Sequence, residues 1–160
     1  MLILIYLIAI ILANLLITAL GPVAAIPIAF LFIGLDLTTR DALDEKWHGR
    51  KAPMLVLIAT GGAISYVLNR EAGSIAIAST VAFTAAAIAD WSVYHLLSNH
   101  SQRLRVNGSN IAGAAIDSIL FPTIAFGVFL PLIIVGQFIA KVFGGAFWYE
   151  VLHVISIRRS

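Results

Sequence analysis

The chain has no cysteine, which excludes a disulfide framework, a thiolate nucleophile and any cysteine-ligated metal. Charge is scarce as well: Asp, Glu, Lys and Arg make up 11% of the 160 residues and apolar residues 61%, whereas a soluble domain is normally about a quarter charged. That is too little polar surface to cover a water-soluble globule, so the composition implies an integral membrane protein. Enzyme signatures are also missing. His48, His95, His100 and His153 show no metal-ligand spacing, and neither His-Glu-x-x-His, Gly-x-Ser-x-Gly nor the phosphate-binding Gly-x-x-x-x-Gly-Lys-Ser/Thr occurs. Asp90 and Asp117 do not read as an aspartyl dyad, because they fall at different depths and lack a glycine-rich context that would join them. The expectation is therefore a chain that is not an enzyme, does not itself hydrolyse ATP, and uses no cofactor or metal. The net charge of +2 comes from loop residues that set membrane orientation, and no nucleic-acid signal is read in it. Leu2 to Leu20 has no basic leader and runs through Gly21-Pro22 into a second apolar stretch, so it is read as a retained membrane segment rather than a cleaved signal.

What remains is long apolar runs. A hydrocarbon core of about 30 Å takes about 20 apolar residues per helix, with about 17 to 25 allowed. Six segments qualify: about 2–20, 22–35, 52–68, 73–97, 110–130 and 132–157. The second extends into the polar stretch 36–51, and Pro131 marks the turn between the last two. The expected fold is all-α, a polytopic membrane protein with six transmembrane helices in one bundle, residues 1–160 forming a single domain. Arg40, Lys46, Arg50 and Lys51 follow the second segment, Arg103 and Arg105 lie between the fourth and fifth, and Arg158 and Arg159 end the chain. The opposite loops carry only Arg70, so the positive-inside rule places the N and C termini in the cytoplasm. Small residues four apart, Ala9 with Ala13 and Ala78 with Ala82, would let helices approach closely.

The fifth segment carries a carboxylate, Asp117, in an otherwise apolar run. A charge at the bilayer centre costs about 2.5–3.5 kcal/mol on insertion scales, so it faces the bundle interior, a partner or a wet cavity. Counting about 1.5 Å per residue, Asp117 lies roughly 10 Å from the cytoplasmic boundary and Lys141 of the sixth segment roughly 12 Å from the outer one. The remaining axial gap of about 8 Å suits either a direct ion pair or a small ligand held between the two. Asn14 and Thr18 of the first segment and Gln137 of the sixth fall at similar depth. Together these residues could ring a central pocket, or act as hydrogen-bonded glue between helices. Nearer the cytoplasm, the run from Asp36 to Lys51 has same-face neighbours at Arg40 with Asp44 and Asp41 with Glu45, as on a short helical continuation, and reads as a solvated interfacial turn. Alternatively it reads as a gate in which Asp36, Arg40 and Asp41 meet Asp90, Asn107 and Ser109. Trp47, Trp91, Tyr94 and Trp148 suit interfacial aromatic belts.

Several of these residues form a pattern. Ala13-Asn14, Ile26-Pro27 followed by Phe30-Leu31-Phe32 and Asp36, Ala82-Phe83 then Asp90, and Asn107-Gly108-Ser109 leading to Asp117-Ser118 and Ile124-Ala125-Phe126-Gly127 resemble the queuosine-precursor transporter family, also called the vitamin uptake transporter (VUT) family. The resemblance implies an importer of a 7-deazaguanine, pre-queuosine-0 or pre-queuosine-1, in the bacterial inner membrane. A purine-like small molecule and the lipid bilayer are then its partners, with a homodimer left open. The pocket chemistry suits such a base: Asp117 can accept hydrogen bonds from the ring N–H and exocyclic amine. Asn14 or Gln137 could meet the carbonyl, and Phe121 could stack on the ring. The chain differs from many members in having Asp36 followed by Arg40-Asp41, where they have an Asp followed four residues later by Glu. Two other readings are a substrate-binding subunit of a multi-component vitamin transporter, using Ala9 and Ala13 against a partner helix, and a structural or phage membrane protein without substrate.

Overall fold

The computed structural model describes residues 1–47 and 51–157. Helix α1 is Leu2–Leu20. Helix α2 covers 22–46 in consecutive pieces: a 3₁₀ turn (Pro22–Ala24), a short α-helix (Ala25–Ile28), a π-helical segment (Ala29–Ile33) and an α-helix (Gly34–Lys46). Then come α3 (Lys51–Leu68), a 3₁₀ turn (Arg70–Ala72), α4 (Gly73–Leu96), α5 (Gln102–Phe126) and α6 (Pro131–Ile157). Five of the spans are long and apolar enough to cross a membrane, and Ala52–Leu68 is a shorter apolar helix. At 17 residues that helix sits at the lower end of what spans a bilayer. The protein is an all-α polytopic membrane bundle of six helices.

Two boundaries differ from the sequence-based expectation. The polar stretch before residue 110 is helical from Gln102, because Ser101 caps the first turn by accepting from the Leu104 N–H at 3.4 Å. At its other end α5 stops at Phe126 rather than near Leu130, because Gly127 takes the left-handed conformation, φ 68°, that terminates a helix cheaply only at glycine. The polar run after Asp36 continues α2 through Lys46, the helical continuation that its residue spacing suggested.

Within the membrane-crossing parts most helix faces are apolar, so hydropathy says little about which faces point inward. The outer faces carry Val23, Val67, Leu96 and Leu132, each exposed by more than three quarters, as lipid contact allows and water does not. The inner stripes recur at helical spacing: Tyr6, Ile10, Ala13 and Ile17 on α1; Ala25, Ala29, Ile33 and Asp36 on α2; Ile75, Ala78, Ala82 and Ala86 on α4; Ile134, Gln137, Lys141 and Gly144 on α6.

Helices α4 and α5 pair along the longest seam. Helix α2 lies against α1 on one side and α6 on the other, and α3 bridges α1 and α4. The α2–α6 crossing is a close backbone approach: a Cβ on Gly34 would stand 2.6 Å from the Gly144 carbonyl carbon, and one on Gly144 would run into the Phe30 carbonyl oxygen. Small residues permit such a crossing because lipid tails are as apolar as leucine, leaving close packing and interhelical hydrogen bonds to hold helices together. Thr38 adds one of those bonds, its Oγ1 donating to the Gly145 carbonyl at 3.1 Å. The π-helical segment of α2 contains Phe30 and lies directly at this crossing, in keeping with the tendency of π-bulges to occur at functional places.

Candidate functional site

Asp117 and Lys141 are in direct contact, Nζ to Oδ2 2.8 Å, and both are almost fully buried. The axial gap expected from residue counting is closed by the side chains themselves, since the lysine stem reaches along its helix to the carboxylate. No ligand fits between them in this arrangement. Lys141 also donates to Ser118 Oγ at 3.2 Å and Gln137 Oε1 at 3.1 Å, so its three donors have three acceptors. Pro122, buried four residues beyond Ser118, has no N–H to give the Ser118 carbonyl.

Asn14 is held from two sides. Its Nδ2 donates to Ser65 Oγ at 3.2 Å and its Oδ1 accepts from Ser79 Oγ at 2.7 Å; Ser65 in turn donates to the Gly61 carbonyl. The residue thereby ties α1 to α3 and α4. Thr18 spends its hydroxyl on the Asn14 carbonyl, 2.7 Å away, and is not part of the cavity lining around Asn14. Ser79→Ala is expected to cost about 1 kcal/mol, the scale of one interhelical hydrogen bond in a membrane. A thermal melt in detergent should show a modest fall in midpoint; an unchanged midpoint would mean that Asn14 finds another donor.

Asn14, Asp117, Phe121, Gln137 and Lys141 line one enclosed cavity, together with Ser79 and Phe83 of α4 and Ala25, Ala29 and Ile33 of α2. Its volume is about 10 Å³, room for one water at most and far below the roughly 300 Å³ at the small end of ligand sites. A base-sized molecule enters only if helices separate. Two polar atoms here have no partner among the described residues: Asp117 Oδ1 and Gln137 Nε2. A buried donor or acceptor left unpaired costs about 1–3 kcal/mol, so both would gain from a polar ligand.

The family described as "Putative vitamin uptake transporter" matches residues 2–152. The chain belongs to that family. It is a multi-pass membrane transporter whose substrates are small, vitamin-like molecules. No curated protein and no solved structure matches the chain.

In this vitamin uptake transporter a second polar group lies one turn from the cavity along α2. Asp36 is fully buried and faces the Tyr6 hydroxyl, with Arg40 and Asp117 close enough to act on the same phenol. Thr39 donates back to the Leu35 and Asp36 carbonyls. Helix α2 makes its main contacts with α1 and α6, whereas α4 and α5 hold the other half of the expected gate. Asp90 sits on α4 against Gly113 of α5, Ser109 is buried, and Asn107 is exposed. The gate residues thus belong to two different helix groupings, and the Asp41 side chain lies outside the described residues.

Sequence reasoning named Asp117, Lys141, Asn14 and Gln137 because each is a polar outlier in an apolar run, and Phe121 because it lies one turn beyond Asp117. It gave no role to Ser65, Ser79, Phe83, Ser118 or Tyr6, since serine and aromatic residues are ordinary in membrane helices. Ala9 and Ala13 are buried within the chain's own bundle, 1% exposed each, so they present no surface to a partner helix.

Proposed function

We propose that the chain imports a 7-deazaguanine queuosine precursor, pre-queuosine-0 or pre-queuosine-1, across a bacterial inner membrane with both termini in the cytoplasm. The observation that carries this reading is a sealed cavity in which apolar walls, Phe83 and Phe121, stand beside a carboxylate with one free oxygen. A flat heteroaromatic base with ring N–H groups suits that combination, because aromatic faces take its rings and the carboxylate takes its donors. The near absence of free volume favours alternating access over an open pore, since cargo of this size requires the helices to part. The Asp36, Arg40, Asp41 group on α2 and the Asp90, Asn107, Ser109 group on α4 and α5 would part and meet as the helices move, forming the cytoplasmic gate.

Uptake of labelled pre-queuosine-0 and pre-queuosine-1 tests the reading, in cells that lack their own synthesis and transport of these bases. Accumulation that depends on the chain is the expected result. No accumulation of either base, with the protein shown to be in the membrane, would overturn the substrate assignment.

A further inference from the structure

The identity of each atom of the Gln137 amide is decided by its neighbour. Lys141 has three donors and no acceptor, so the amide atom 3.1 Å from its Nζ is the oxygen, and Nε2 points away from it as a donor. The same ammonium occupies Asp117 Oδ2 at 2.8 Å, leaving Oδ1 as an acceptor. Both free atoms are buried without a partner among the described residues, both residues line the one cavity, and each free atom is a single carboxyl or amide width from an atom bound to the shared ammonium. Lys141 therefore does more than neutralise Asp117: it orients a donor and an acceptor side by side.

Asn14 does not offer the same pairing, because its oxygen and one amide hydrogen are already engaged by Ser79 and Ser65. The acceptor on Asp117 and the donor on Gln137 complement a group with an N–H next to a C=O. We infer that the site reads a lactam edge, with Asp117 Oδ1 accepting from the ring N–H and Gln137 Nε2 donating to the adjacent carbonyl, and that Gln137 acts with Asp117 to reject the amidine edge of an adenine-like base. An amidine presents a lone pair to the carboxylate and an amino group to the amide N–H, so both contacts are mismatched. The assignment of a deazaguanine to this edge rests on the transport reading above; the edge itself does not.

The experiment is isothermal titration of the purified full chain in nanodiscs with two matched pairs, 7-deazaguanine against 7-deazaadenine and uracil against cytosine. Wild type is expected to prefer the lactam member by about tenfold to a hundredfold, the range of one mismatched bidentate pair. Gln137→Glu keeps an oxygen for Lys141 and replaces the donor by an acceptor; Gln137→Met removes both at similar length. Each variant should narrow the preference by about threefold to tenfold, the Asp117 contact, still mismatched to an amidine, keeping the remainder, and folding is checked by melting both in the same nanodiscs. Binding of 7-deazaguanine with the wild-type preference retained in both variants would overturn the pairing and leave the transport reading standing. Gln137-dependent preference for uracil, without binding of either deazapurine, would support the lactam edge and overturn the deazaguanine assignment. Binding of none of the four by wild type would overturn both.

Discussion

Lys141→Met is expected to destabilise the protein by about 3 kcal/mol or more, and Asp117→Asn with Lys141→Met to recover most of that loss while transport stays lost. The single change strands a buried carboxylate by removing the ammonium 2.8 Å from it. Removing one partner of a buried pair costs about 3–5 kcal/mol, while replacing both by neutral groups is often close to neutral. Insertion scales for a lone charge in a bilayer, about 2.5–3.5 kcal/mol, agree. Asp117→Asn alone leaves the ammonium with Ser118, Gln137 and a neutral carbonyl, so its stability loss should be smaller. Its uptake should fall about tenfold to a hundredfold, the 1.5–3 kcal/mol scale of a hydrogen bond to a charged group. Melting in detergent and uptake, measured on all four proteins, separate the two roles. If the double variant transports as wild type does, the pair only locks α5 to α6.

The second large effect distinguishes two neighbouring glycines. Gly144→Ala should weaken the α2–α6 crossing by about 1–3 kcal/mol or more, the range for overpacking a tight contact. The new methyl meets the Phe30 carbonyl oxygen, with the Phe30 carbonyl carbon and Cα each at 3.0 Å, and backbone cannot swing aside as a side-chain tip does. Gly145→Ala should be tolerated or slightly stabilising. Its Cβ would meet nothing within 4 Å, alanine is the better helix former by about 1 kcal/mol, and the Thr38 bond goes to the Gly145 carbonyl, which the change keeps. Melts of the two variants in one detergent test this. Equal loss in both would show that glycine is needed here for backbone freedom rather than for closeness.

These glycines mark where sequence reading ended. Gly144 and Gly145 are indistinguishable in the chain, and only the position of α2 makes one of them a contact and the other free. The π-helical segment at Ala29–Ile33 had no sequence signal for the same reason, because it accompanies a crossing between residues more than a hundred positions apart. The continuation of α2 to Lys46 was legible in the same-face spacing of Arg40 with Asp44 and Asp41 with Glu45, even though so mixed a charge run also reads as a solvated turn.

The residues that belong inside were legible without any structure. Six apolar runs and a shortage of charge require a membrane bundle, because a chain so poor in polar groups cannot cover itself in water. In such a bundle Asn14, Asp117, Gln137 and Lys141 have to face inward, because lipid offers them no partner. Their pairing was decided only by the tertiary structure. Depth along a helix follows from counting, but rotation about its axis and distance across the bundle come from packing. It is packing that sets Lys141 on Asp117, ties Asn14 to Ser65 and Ser79, and leaves one oxygen of Asp117 and the amide nitrogen of Gln137 without a partner among the described residues.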